Sequence, residues 1–324
     1  MQADSAQPPE SPEPKGPRFH PLFSFDADVV LGSRDGVLFR VPSTTLKMTS
    51  AWFRAMFTLP QGSPPTSSRS RDIKPRDTAA DTEVISLDED SRTLEPLLRM
   101  ICGLEISALD TWDAVEPVLY AAEKYDMPGP ASIVRALLRT PAFVDEPLRL
   151  YAAACHFSWA EDARTASTRS LSVNLYDPKN RPALLRLRTA DLLALFELHH
   201  ERRKQFRQRI AEPPFLTDAQ LGDTARCSRC RDSISYVEWR ELRNAMFAEL
   251  EICPAGDTVL AGLEVWPAAL TSWSAKCKRA TCMSPVQYMI RRSRPRPSRM
   301  CWTRCRTLSS CPCMALPKSL DVYH

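Results

Sequence analysis

Thirty residues near the N-terminus, Asp28 to Phe57, set the strongest limit on what this chain can fold into. Asp28-Val29-Val30-Leu31 is a short apolar run of β-branched character. Ser33-Arg34-Asp35-Gly36 supplies a turn, because Asp-Gly tolerates the positive φ that tight hairpins need. Val37-Leu38-Phe39-Arg40-Val41 reads as the return strand, and Pro42 ends it. Ser43 is a suitable N-cap, with a hydroxyl able to accept from an orphan backbone N–H. Leu46, Thr49, Phe53, Met56 and Phe57 then recur every three or four residues. That spacing predicts one face of a helix, with Lys47 and Arg54 off it.

Downstream, Glu83 to Leu87 reads as a third strand. Leu94, Leu97, Leu98 and Ile101 mark a helix, Val115, Val118, Leu119 and Ala122 another, and Ile133, Val134, Leu137 and Leu138 a third. Three short strands beside several helices make an α+β domain. Pro141 and Pro147 mark a boundary, after which Leu148, Tyr151, Ala152, Cys155 and Trp159 open a second helical region. A further helix carries Leu192, Leu195, Phe196 and His199 and runs into the basic stretch Glu201 to Arg209. Cations suit a helix C-terminus, where they oppose its partial negative charge.

The order of the first segments resembles the BTB/POZ domain. The residues that carry the likeness are Asp28-Val29, Phe39-Arg40-Val41 and Ser50-Ala51-Trp52-Phe53-Arg54-Ala55-Met56-Phe57. It extends over about Phe19 to Phe143. On Ala121-Ala122-Glu123-Lys124-Tyr125-Asp126-Met127-Pro128 it is similar in particular to the BTB proteins expanded in mushroom-type (basidiomycete) fungi. Pro42 departs from the pattern, since animal members usually carry His there. The resemblance implies a small sheet with helical hairpins, followed by a helical extension. It also implies an interaction module that self-associates or docks other proteins, and that brings clients to a cullin-type ubiquitin ligase in one well-known role. A homodimer and a cullin scaffold are the partners so implied, with Phe53, Met56, Phe57 and Leu59 as candidate partner-binding residues. Cullin binding in the family often uses a hydrophobic-x-Glu element just after the first helix. The corresponding Phe57-Thr58-Leu59-Pro60-Gln61 has no Glu. The Pro-rich start argues against exchange of an N-terminal strand between family members of that type.

Composition supports this class. Only nine Gly stand against 28 Pro, which favours helices joined by Pro-rich loops over a glycine-lined nucleotide site. No apolar run approaches the ~20 residues of a membrane span. The first residues lack the basic flank and apolar core of a secretory signal, so an intracellular protein, cytoplasmic or nuclear, is expected. The eleven Cys then read as thiols or metal ligands rather than disulfides. Phosphate-binding, zincin and nucleophile-elbow motifs are absent, and Cys155 and His156, adjacent on a helix, point in different directions. No enzyme is expected.

The expected organisation is a disordered tail over 1–18, the BTB/POZ-like domain over 19–143 with a mobile loop at 61–82, a helical extension over 144–212, a helical region over 213–290 and a disordered basic tail over 291–324. Ser67, Ser68 and Ser70 in the loop are candidate phosphorylation sites. In the fourth region Trp239, Leu242, Met246 and Leu250 predict an amphipathic helix. Cys227 and Cys230 form a C-x-x-C, and Cys277 and Cys282 form a wider pair. Four sulfur ligands in a tetrahedron are what a structural zinc requires. The 46 residues between the pairs exceed the ~15–20 of a zinc ribbon, so unliganded thiols are the alternative.

Charge is uneven. Val265 to Leu320 holds eleven Lys and Arg and no acid. With Asp321 included, this leaves residues 1–264 at −6 in a chain of net charge +4. The basic, Cys-containing C-terminus supports a rival function, a nuclear regulator that contacts nucleic acid through phosphate neutralisation. After Ile290 the hydrophobic pattern is lost abruptly, and a shifted reading frame accounts for that as well as a basic tail does.

Overall fold

In the computed structural model the hairpin forms where the sequence places it. β2 (Val29–Gly32) pairs antiparallel with β3 (Val37–Val41), with Val29 opposite Val41 and Leu31 opposite Phe39. Gly36 takes the positive φ, +81°, that the Asp-Gly turn needs. The Asp35 carboxylate accepts from the Ser91 N–H at 2.8 Å and the Ser91 hydroxyl at 2.6 Å, tying the turn to the next helix. The structure describes residues 18–59, 84–212, 226–227, 229–234, 236–263 and 265–283. The expected tails, apart from Arg18, and the expected loop 61–82 lie outside them.

The sheet has four strands rather than three, in the order β1-β3-β2-β4. β4 (Val84–Ser86) is the expected third strand and runs parallel to β2. β1 (Arg18–Phe19) is the addition, parallel to β3 with Phe19 opposite Leu38. Two residues are too few to show a period. The Arg40 guanidinium lies 4.6 Å over the Phe19 ring and helps hold the strand.

The single helix predicted after the hairpin is two. α1 (Ser43–Thr49) and α2 (Ala51–Thr58) are separated by Ser50, which is extended at φ −134° and ψ 122°. The expected cap at Ser43 is also corrected. Ser43 is the first helical residue, and its N–H donates to Asp28 Oδ1 at 2.8 Å. Asp28, fifteen residues back, therefore caps α1 and joins the strand entry to the helix. Bonds from the Ser43 hydroxyl and N–H hold the Asp28 carboxyl below its ordinary value.

α3 (Ser91–Cys102) starts at Asp90, whose carboxylate accepts from the Thr93 N–H at 2.9 Å, and stops at Gly103 with φ +68°. α4 (Trp112–Lys124), α5 (Pro128–Leu137) and the short α6 (Pro141–Val144) follow. Leu94, Leu97 and Leu98 of α3 and Val115, Val118 and Leu119 of α4 are fully buried, as are Leu31, Phe39 and Val41 of the sheet. Each such side chain contributes about 1.5–3 kcal/mol.

The described residues from 146 onward form a second compact unit. α7 (Pro147–His156) packs on α8 (Ala160–Ser170). α9 (Arg181–Leu185) and the long α10 (Thr189–Ile210) follow. α11 (Val237–Ile252) buries the predicted stripe Trp239, Leu242, Met246 and Leu250 in one cluster with Phe206 and Ile210 of α10. α12 (Asp257–Gly262) and α13 (Pro267–Ser274) add Val259 and Ala269 to that cluster. The Ala255 N–H donates to the Leu171 carbonyl at 2.9 Å, so the end of α8 is bound to the entry of α12. No described helix is long and apolar enough to cross a membrane.

Candidate functional site

Ser50 positions α2. Its hydroxyl accepts from the Phe53 N–H at 3.0 Å and donates to the Tyr125 carbonyl at 2.5 Å. The Ala51 N–H adds a bond to the Asp126 carbonyl at 3.2 Å. The start of α2 thus hangs on the end of α4. That end is itself fixed. The Tyr125 hydroxyl bonds to the Glu89 carboxylate, and the Lys124 ammonium lies 2.8 Å from both Asp88 and Glu89. Burial, and then the Glu89 bond, push the Tyr125 phenol above its usual range, while Asp88 and Glu89 raise Lys124. Both groups keep their protons at neutral pH, so both can donate to these carboxylates there.

On this frame α1, α2 and the residue after α2 present apolar side chains to solvent. Met48 is 81% exposed, Trp52 40% and Leu59 64%. Phe53 is 1% exposed and stacks on Phe57 at 6.1 Å and on Tyr125 at 5.6 Å. Trp52 meets the Phe53 ring edge-on at 4.8 Å. Of the four residues expected to bind partners, Leu59 is exposed and Met56 and Phe57 are half-buried. Phe53 lies in the core beneath them, where it supports a surface rather than forming one. Met48 and Trp52 were not among the expected residues. Their signal is a large apolar side chain off the buried helix face.

The second unit holds a different site. Cys227, Cys230, Cys277 and Cys282 bring their sulfur atoms within 4.8 Å of one another. Cys227 Sγ is 3.7 Å from Cys282 Sγ, and Cys230 Sγ is 3.6 Å from Cys277 Sγ. These spacings are far beyond an S–S bond of about 2.05 Å, so the sulfurs are four separate thiols. Local backbone shapes the site. The Cys227 N–H donates to the Asp232 carbonyl at 2.7 Å, and the Arg231 N–H returns to the Cys227 carbonyl at 2.9 Å. Arg231 takes a left-handed φ of +63° to close this turn. The Cys282 N–H bonds to the Arg279 carbonyl at 2.9 Å in the opposing turn. Backbone N–H groups of Cys230 and Arg229 draw the Cys227 thiol below its ordinary pKa. At Cys230 the Asp232 N–H acts the same way, but burial and the neighbouring sulfurs outweigh it and push the thiol up to about 12. The two shifts run in opposite directions, because thiolates this close repel one another. A cation placed among them removes the conflict. The four cysteines can hold a metal ion.

Residues 19–141 match the family model of the BTB/POZ domain. The first unit carries a BTB/POZ domain. No curated protein matches the chain. The BTB/POZ match takes in the sheet, the α1–α2 pair and the α3–α5 helices, so the apolar surface around Leu59 belongs to the domain and the cysteine cluster lies outside it. A BTB/POZ domain is a protein–protein interaction module, and its family is not generally one of enzymes. The four cysteines nominated from sequence are all brought together. Their spacing argued against this only because it counts residues, whereas α11, α12 and α13 fold the intervening chain back on itself.

Proposed function

We propose that the chain is a docking protein whose BTB/POZ domain self-associates or seats a partner through the α1–α2 region, as a substrate adaptor for a cullin-type ubiquitin ligase. The supporting observation is the exposure of Met48, Trp52 and Leu59 on and beside two helices, the second of which is tied to α4 through Ser50. Desolvating such side chains is the usual source of interface energy. Leu59 and the half-buried Met56 and Phe57 are the contact residues, with Phe53 as their support. A cullin captured with the full chain, and lost on Leu59→Ala or Met56→Ala while the helical content stays unchanged, is the expected result. Full retention of the cullin by both variants, or no cullin at all beside a homodimer by light scattering, would remove the adaptor role.

In the second unit Cys227, Cys230, Cys277 and Cys282 hold one structural zinc. A tetrahedron with metal–sulfur bonds of about 2.3 Å has sulfur–sulfur edges of about 3.8 Å. The two close pairs, at 3.7 and 3.6 Å, fit that size. Four sulfur ligands leave no open position, so the metal would fix the fold and carry no reaction.

A second reading, contact with nucleic acid, has its own support. The residues flanking these cysteines are strongly basic and exposed. It complements the docking role, since one unit would recruit protein and the other would hold a polyanion.

A further inference from the structure

Six cations surround the cysteine cluster. Arg226, Arg229 and Arg231 flank the first pair, and Lys276, Lys278 and Arg279 flank the second. Every one is exposed, and none forms an ion pair among the described residues. Each is one or two residues from a ligand cysteine, a Cα path of about 3.8 Å per step. Because the four sulfurs lie within 4.8 Å of one another, the two turns bring the six exposed cations into one neighbourhood. The basic stretch of α10 behaves differently. Arg207 reaches Glu251 at 2.5 Å, Arg203 reaches it at 3.5 Å, and Arg202 is buried. There the cations serve the fold.

We propose that these two turns form a binding site for a nucleic-acid phosphodiester backbone, with Arg226, Arg229, Arg231, Lys276, Lys278 and Arg279 as the contact residues. The proposal rests on the second reading above and on the metal only for the order of the turns. A zinc with four thiolates has a charge of −2, and the nearby exposed acid is Asp232. Three positive charges of the six therefore remain in excess of what the centre itself neutralises. Ligand geometry selects among polyanions. Duplex DNA carries one charge about every 1.7 Å of its axis, both strands counted. An extended acidic peptide turns alternate side chains to opposite faces, so one face offers a charge only about every 6.8 Å. A lipid surface calls for an apolar wedge as well as charge. Among the described residues of the two turns, only Met283, 56% exposed, is a large exposed apolar side chain. The contacts also come from turns before α11 and after α13, with no helix offered to a groove. Recognition is thus of backbone, independent of sequence.

The test uses the full chain loaded with zinc, a mixed-sequence duplex DNA and a single-stranded RNA of equal length, with fluorescence anisotropy over a salt series. Arg229→Ala, Arg231→Ala, Lys278→Ala and Arg279→Ala are combined in one variant. Arg164→Ala, Arg169→Ala, Lys179→Ala and Arg181→Ala form an equally neutralised control at a distance in sequence. Zinc content reports whether each keeps its fold. The expected result is binding of at least one probe by the parent chain, at least a tenfold loss in the turn variant and little loss in the control. For the duplex, the slope of log affinity against log salt should fall by at least about 2, at about 0.9 per phosphate contact. If the turn variant loses zinc, the pair Lys276→Gln and Lys278→Gln takes its place, with a slope change of about 1.8. Parent-like binding by the turn variant overturns this site and leaves the nucleic-acid reading to other residues. No binding of either probe by the parent overturns both. Equal affinity for polyglutamate or for vesicles of anionic lipid overturns the choice of nucleic acid.

Discussion

Ser50 acts on two helices at once. It interrupts the run from Pro42, caps α2 through the Phe53 N–H, and donates to the Tyr125 carbonyl at the end of α4. Ser50→Ala removes the cap and leaves a buried carbonyl short of a donor. Loss of a cap alone costs about 1 kcal/mol, and the orphaned carbonyl about 1–3 more. Thermal denaturation of the full chain should show the BTB/POZ transition fall by several degrees, with the second unit unchanged. His199 gives a pH signature to the other unit. Its Nε2 is 3.0 Å from the Ser170 hydroxyl, which already donates to the Ser167 carbonyl at 2.6 Å. With one proton on that hydroxyl, Nε2 must carry a hydrogen and donate to it. Burial, and then the Arg203 charge, lower its pKa to about 4. In the unfolded chain His titrates near 6.5. Between those values the unfolded state binds the extra proton, so stability present above about pH 6.5 is lost progressively as pH falls toward 4. His199→Asn should flatten denaturation midpoints of the second unit across that window.

Among the elements, α12 and α13 show how tightly the chain folds back toward the cysteines. A Cβ at Gly262 would sit 1.9 Å from Cε2 of Trp266, a residue whose backbone N–H bonds to the Gly262 carbonyl at 2.7 Å. Gly262→Ala should cost about 1–3 kcal/mol, as overpacking does. Trp266→Ala in the same chain should recover part of it, giving a non-zero coupling in a double-mutant cycle by urea denaturation. Legibility in the sequence divides along similar lines. α3, α4 and α11 were visible because their burial follows a local period, and β2 and β3 because an Asp-Gly turn joins two short apolar runs. The break at Ser50 was not, because Leu46, Thr49, Phe53 and Met56 keep helical spacing through it. What stops the helix is the Tyr125 carbonyl, 75 residues away. β1 is two residues long, and its partner strand alone defines it. The four cysteines were legible as a set, whereas their meeting depended on helices that no ligand-spacing rule counts.

At the scale of the molecule, the two units carry different fixtures. The clamp of the first is made of hydrogen bonds at Glu89, Tyr125 and Ser50. In the second, a metal at the cysteines would cross-link segments 46 residues apart. Closing a loop of that length restricts the unfolded chain by about 4 kcal/mol in the chain-entropy model. Chelation should therefore lower the unfolding temperature of the second unit and leave the first where it was. Cys277→Ser should reproduce that loss without chelator, with metal content falling from one per chain to near zero. Calorimetry with metal analysis reads both.

The position of the last clustered cysteine also fixes an order in time. Cys282 is made 137 residues after Asp145, where the first unit ends. At about 5–20 residues per second, a ribosome needs roughly 7–27 s to cover that distance. The BTB/POZ domain is complete well before the four cysteines can meet, and its exposed α1–α2 side chains face the surroundings while the rest of the chain is still being made.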